Sequence, residues 1–146
     1  MAEVDANAPA DFHVGLRIYW EDTDAGGVVF YANYLKFLER ARTEWLRRFG
    51  IGQEDLRQQH GLLFVVSGVQ LSYRAPARLD DWLDVSVQVA EAGRASLVID
   101  QQVRWGDASG PLLCEGRVRV GCVNAQRFRP ARIPAELLTL IAPNFV

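Results

Sequence analysis

Apolar and polar residues alternate through most of this chain, and a single long stretch breaks that rhythm. Between Tyr31 and Phe49 the apolar residues fall at positions 31, 34, 35, 38, 41, 45, 46 and 49, the spacing of one buried helix face. Lys36, Glu39, Arg40, Thr43, Arg47 and Arg48 lie elsewhere around the cylinder. Gly50 and Gly52 end the helix, and Glu44 is set four residues before Arg48 for a surface ion pair. Ahead of it, Val14, Leu16, Ile18 and Trp20 alternate with His13, Gly15, Arg17 and Tyr19, predicting a first strand. Behind it come four more. Leu63, Val65, Val69, Leu71 and Tyr73 share one parity; Leu83, Val85, Val87 and Val89 share another. The faces of the last two are Ala95, Leu97, Ile99, Val103 and Trp105, then Leu112, Cys114, Val118, Val120 and Cys122. Short helical pieces are expected at Gln53 to His60 and Pro134 to Ile141.

The order strand, long helix, four strands predicts an α+β layer in which one helix covers one face of a five-stranded, mainly antiparallel sheet. Turn-like links at Ala75-Pro76-Ala77, Glu91-Ala92-Gly93 and Gly106 to Gly110 favour antiparallel neighbours. One helix cannot cover so wide a sheet, so the uncovered apolar area and open edges point to a homodimer or larger homo-oligomer. With 146 residues, 49% of them apolar, the chain can bury roughly 70% of its unfolded surface around one core without disulfide or metal. We expect a flexible N-terminus over 1–12 and a single domain over 13–146.

A net charge of −2 argues against general nucleic-acid binding. The sixteen basic residues include one lysine, Lys36, and Arg117, Arg119, Arg127, Arg129 and Arg132 crowd the last quarter, as solvated surface or as an anion clamp. The start of the chain lacks the basic end and apolar run of an export signal, and no stretch of about 18 apolar residues could span a bilayer, so a cytoplasmic location is expected. Cys114 and Cys122 fall on one predicted strand roughly 26 Å apart, too far to bridge.

Between the first strand and the helix lies Trp20-Glu21-Asp22-Thr23-Asp24-Ala25-Gly26-Gly27-Val28-Val29-Phe30-Tyr31. It places three carboxylates and a glycine pair against a helix N-terminus, where amides lack intrahelical partners and the helix dipole adds positive potential. Gly26 and Gly27 allow close backbone approach to a ligand. Each acid also has a plainer role: Asp24 and Asp22 as turn or cap residues, Glu21 as a solvated charge, with Asn33 bonding the first helical turn. His13 and His60 fall in the first strand and a polar loop. Ser67 and Ser72 lack a Gly-x-Ser-x-Gly elbow, and the cysteines have no histidine near in sequence.

The segment from Tyr19 to Leu46, together with Leu71-Ser72-Tyr73-Arg74-Ala75-Pro76-Ala77-Arg78-Leu79-Asp80-Asp81, resembles the hydroxybenzoyl-CoA thioesterase family of hotdog-fold proteins, and within it the Tol-Pal-associated acyl-CoA thioesterase subgroup. The resemblance implies a single hotdog thioesterase domain acting on acyl-CoA or acyl-carrier-protein thioesters as a homodimer or homotetramer. It requires no metal and no cofactor, coenzyme A being part of the substrate. It assigns the reaction to Asp24, as general base or as nucleophile, with a backbone N–H near Tyr31 polarising the carbonyl. Gly26, Gly27, Val28, Val65, Val66 and Tyr73 are implied to border the substrate, and Arg127 and Arg129 to meet the nucleotide. Tyr31 departs from the subgroup, which carries histidine at this point. Other readings are a hotdog hydratase or dehydratase, whose histidine is missing here, and a low-turnover acyl-carrier-protein or envelope-assembly partner.

Overall fold

The protein is described over residues 12–145 by a computed structural model. The flexible segment expected over 1–12 lies outside the described residues except for Phe12, which opens strand β1 (Phe12–Arg17). A 3-10 turn, Trp20–Asp22, leads to the long helix α1 (Asn33–Arg48), followed by α2 (Gln53–His60). Strands β2 (Leu62–Tyr73), β3 (Trp82–Ala92), β4 (Ser96–Trp105) and β5 (Leu112–Asn124) come next, and α3 (Ala135–Ile141) follows them. The expected α+β hotdog architecture is present: a five-stranded antiparallel sheet in the order β1-β3-β4-β5-β2, with α1 across one face.

The helix packs by the residues its period placed inward, with corrections. Tyr34, Leu38, Ala41, Trp45 and Leu46 are buried as expected, and so is Phe37, which the predicted stripe omitted. Tyr31 and Leu35 are exposed on its flank. The face is set by where the sheet lies, and apolar residues one step off it are left for another surface. Glu44 pairs with Arg47, not Arg48; the Arg48 guanidinium instead lies over the rings of Phe12 and Phe49.

Three further differences bear on the site. The first strand ends at Arg17, and the alternation read through to Trp20 dissolves into the 3-10 turn, leaving Trp20 80% exposed. In β2 the register slips between Val66 and Gly68, a β-bulge at Ser67. An extra residue reverses which side chains face the helix, so Leu63 and Val65 do not share a face with Val69, Leu71 and Tyr73. Lastly, β2 and β3 are not neighbours. β2 pairs with β5 at one edge of the sheet, and the link after Tyr73 crosses to β3 near the opposite edge, β1. That crossing runs past the start of α1 and buries Ala77 completely.

Candidate active site

The acidic loop folds around Asp22. Its side chain is 6% exposed, and its Oδ2 accepts the Tyr19 N–H at 2.8 Å. Its carbonyl accepts both the Phe30 N–H at 3.0 Å and the Asn33 Nδ2–H at 2.8 Å, tying the loop's entry to the first turn of α1. Asp24, two residues on, is exposed. The Gly26 N–H donates to its Oδ1 at 2.8 Å, while Oδ2 accepts no hydrogen bond among the described residues. Backbone bonds from Asp24 N–H to Val28 C=O and from Gly27 N–H to Asp24 C=O close the hairpin beneath it. Gly27 has φ +80, which explains the second glycine: a side chain there would be strained although space for it exists.

The crossing segment clamps the end of this loop. The Val29 N–H donates to Ala77 C=O at 2.8 Å, Val28 bridges Arg78, and the Ala77 N–H donates to the Tyr34 hydroxyl at 3.1 Å. The Tyr73 hydroxyl donates to Tyr31 C=O at 2.9 Å, and the rings of Tyr31, Tyr34 and Tyr73 meet edge to face. The Asn33 N–H bonds back to Phe30 C=O; the Tyr31 and Ala32 N–H groups between them find no acceptor among the described residues. Two amides of one turn without acceptors among the described residues can hold an oxyanion, and a carboxylate with a spare oxygen in the loop bonded to that turn can direct a water or attack a carbonyl.

Farther along, a cavity of about 190 Å³ opens between the second half of α1, the start of β2 and the sheet. Val65 and Val66 line it, with Trp45, Phe64, Leu97 and Ile99. Tyr73 does not; it stands at the Tyr31 end of β2. The groove residues predicted together are thus divided between two stations on one flank of α1.

Matching to families and known proteins sets this geometry in context. Residues 18–141 match the model of the Thioesterase-like superfamily. The chain belongs to that superfamily. Among curated superfamily relatives it is 39% identical over 126 residues to the acyl-CoA thioesterase YbgC of Haemophilus influenzae, covering 86% of this chain and 90% of that protein. It is 40% identical over 127 residues to the acyl-CoA thioester hydrolase YbgC of Escherichia coli O6:H1, covering 87% and 92%. Protein TT1821 of Thermus thermophilus superposes with a TM-score of 0.81 at 30% identity, covering 90% and 97%. The 1,4-dihydroxy-2-naphthoyl-CoA thioesterase Slr0204 of Synechocystis gives the same TM-score at 21% identity, covering 89% and 94%, a likeness of fold.

Against this superfamily frame, the remaining predicted residues separate. Arg127 and Arg129 follow β5 in an exposed turn whose backbone is bonded to Asn124. Asn124 pairs with Leu62 at the start of β2, whereas Tyr73 ends it, so roughly 35 Å of strand separates the arginines from the Tyr31 end within one chain. His60 precedes the same distant end. His13 lies on the sheet face turned away from α1, its Nδ1 2.7 Å from Asp84 Oδ2. No imidazole stands by Asp24. The Ser67 hydroxyl sits at the bulge and donates to Arg119 C=O, and burial pushes the Cys114 thiol up to about 11, away from nucleophilic use. Sequence reasoning missed Gln101 and Arg42. Gln101 occupies the inward register of β4 between Ile99 and Val103, and a polar residue at a core parity was the signal for it.

Proposed function

We propose that this protein hydrolyses acyl-CoA thioesters, adding water across the acyl–sulfur bond to release a free acid and coenzyme A. One observation carries the reading: among the described residues, Asp24 presents a carboxylate oxygen without a partner, in a loop bonded to a helix start whose Tyr31 and Ala32 amides are also without partners. Asp24 takes the proton of the attacking water, or attacks the carbonyl itself; the first-turn amides receive the negative charge that grows on the carbonyl oxygen. A thiol is far more acidic than an alcohol, free cysteine ionising at about 8.5, so the departing thiolate needs no strong acid beside it, and tyrosine in place of histidine at position 31 is compatible with turnover. The curated relatives named above as acyl-CoA thioester hydrolases support this substrate class.

The working unit we infer is a homo-oligomer. The outer edge of β2 is unpaired, and Leu35, Val66, Val69 and Tyr73 leave an apolar stripe along it. An antiparallel second copy on that edge would bring the far end of its β5 toward Asp24, where its Arg127 and Arg129 could meet the nucleotide. The test is release of free thiol from short, long and aromatic acyl-CoAs, beside an acylated carrier protein and an enoyl-CoA. Thiol release from at least one acyl-CoA is expected; hydration of the enoyl-CoA without thiol release would overturn the reading in favour of a hydratase.

A further inference from the structure

The cavity beside α1 contains a charge that no close ion pair among the described residues neutralises. Arg42 lies on its wall, and its Nη1 donates to Gln101 Oε1 at 3.0 Å. Gln101 is itself buried, and its Nε2 donates to the Leu38 carbonyl at 3.0 Å, so a neutral amide locked into the helix holds the guanidinium in place. None of the ion pairs among the described residues involves Arg42. Burial pushes its pKa down, with Glu39 the opposing influence. A half-buried guanidinium on the cavity wall, hydrogen-bonded to one neutral partner, keeps a fork of donors suited to a carboxylate.

We propose that this cavity receives the far end of the acyl group and that Arg42 selects acyl groups bearing a carboxylate there. The proposal rests on the hydrolase reading and names its substrate class: long thioesters with an apolar body and an acidic end. Reach supports length. Arg42 is nine residues beyond Asn33, about 14 Å along the helix from its first turn, so a short acyl group held there would stop well before the guanidinium. Leu35 and Val69 lie between the two stations on the stripe that faces the second copy, and give the acyl chain an apolar track along that boundary. Glu39 and Val66, both exposed in the single protomer, are at the cavity's rim, so its mouth opens on the flank where we place the second copy. The Glu39 carboxylate works against an acidic ligand, which supplies a control of opposite sign.

The experiment compares kcat/KM for dodecanedioyl-CoA with that for dodecanoyl-CoA. Wild type is expected to favour the diacid derivative by about tenfold or more, the worth of a hydrogen-bonded charge. Arg42→Met should abolish that ratio and Glu39→Gln should raise it, with thermal unfolding confirming that both variants fold. A wild-type ratio of one, or a ratio unmoved by Arg42→Met, overturns the proposal; so does a change of oligomeric mass in Arg42→Met with the ratio intact, since Arg42 then serves a subunit contact. Calorimetry with free dodecanedioate and dodecanoate separates the two levels. If no acyl-CoA is hydrolysed, the hydrolase reading fails, while tighter diacid binding lost in Arg42→Met still supports the anion-selecting cavity; equal binding overturns it.

Discussion

Asp22 and Asp24 are two residues apart in one loop, yet they occupy opposite environments. Asp22 is buried, accepts a backbone N–H with its side chain, and through its carbonyl ties Phe30 and Asn33 to the loop's entry. Asp24 stands in solvent with one oxygen bonded to the Gly26 N–H and the other without a partner among the described residues. The difference shows how a carboxylate is kept available: the fold buries one acid and uses its side chain and carbonyl to tie the loop together, and the hairpin Asp24-Ala25-Gly26-Gly27-Val28 then holds the next acid in solvent with one donor, the Gly26 N–H, among the described residues. A reactive group aimed by a rigid floor can be changed without unfolding the chain, whereas the floor cannot.

That contrast can be broken first at the floor. Asp22→Ala strands the Tyr19 N–H and removes a buried charged acceptor; urea unfolding should show a loss of about 1.5–3 kcal/mol, and turnover should fall with it. If Asp22→Ala is as stable as wild type, Asp22 is not the loop's anchor. Asn33→Leu removes one donor to the Asp22 carbonyl while the Phe30 N–H remains, so a smaller loss of about 1 kcal/mol is expected by the same measurement.

Part of this division was legible in the sequence. The period of α1, the inward parity of β3 and β5, and the pairing of an acidic loop with a helix start all follow from residue spacing. The bulge at Ser67 did not, because an inserted residue leaves local alternation intact while exchanging faces, so Val65 was assigned the parity of Tyr73. The crossing after β2 was hidden for another reason. Ala75-Pro76-Ala77 reads locally as a turn, and only the pairing of β2 with β5 reveals that the segment passes α1 and clamps Val29 and Tyr34. Nothing in the spacing of α1 marks Arg42, since the cavity on whose wall it lies is formed with strands distant in sequence. The placement of Arg127 and Arg129 far from Asp24 likewise depends on register, which composition does not contain.

The rim supplies the finer tests. Gly27→Ala should cost about 1 kcal/mol from its left-handed backbone alone, because the added methyl meets nothing within 4 Å. Tyr73→Phe removes the hydroxyl bonded to Tyr31 C=O; a fall in kcat of about two- to tenfold with KM little changed is expected if that bond steadies the first turn. The smallest effect concerns Cys114. Its folded pKa of about 11 lies above the ordinary 9.0, so the neutral thiol's contribution to stability is complete below pH 9 and is lost as pH rises through 11. Iodoacetamide at neutral pH should leave turnover unchanged, and the stability advantage of wild type over Cys114→Ala should narrow as pH rises from 9 toward 11.

The most direct measurement is thiol release by Asp24→Asn beside wild type on the same acyl-CoA, with thermal unfolding of both. Asparagine keeps the Oδ1 acceptor for the Gly26 N–H but can neither take a proton from water nor attack as an anion. A loss of about a hundredfold or more at an unchanged unfolding midpoint is expected. Wild-type turnover in the folded Asp24→Asn protein would contradict the assignment of the reaction to this carboxylate.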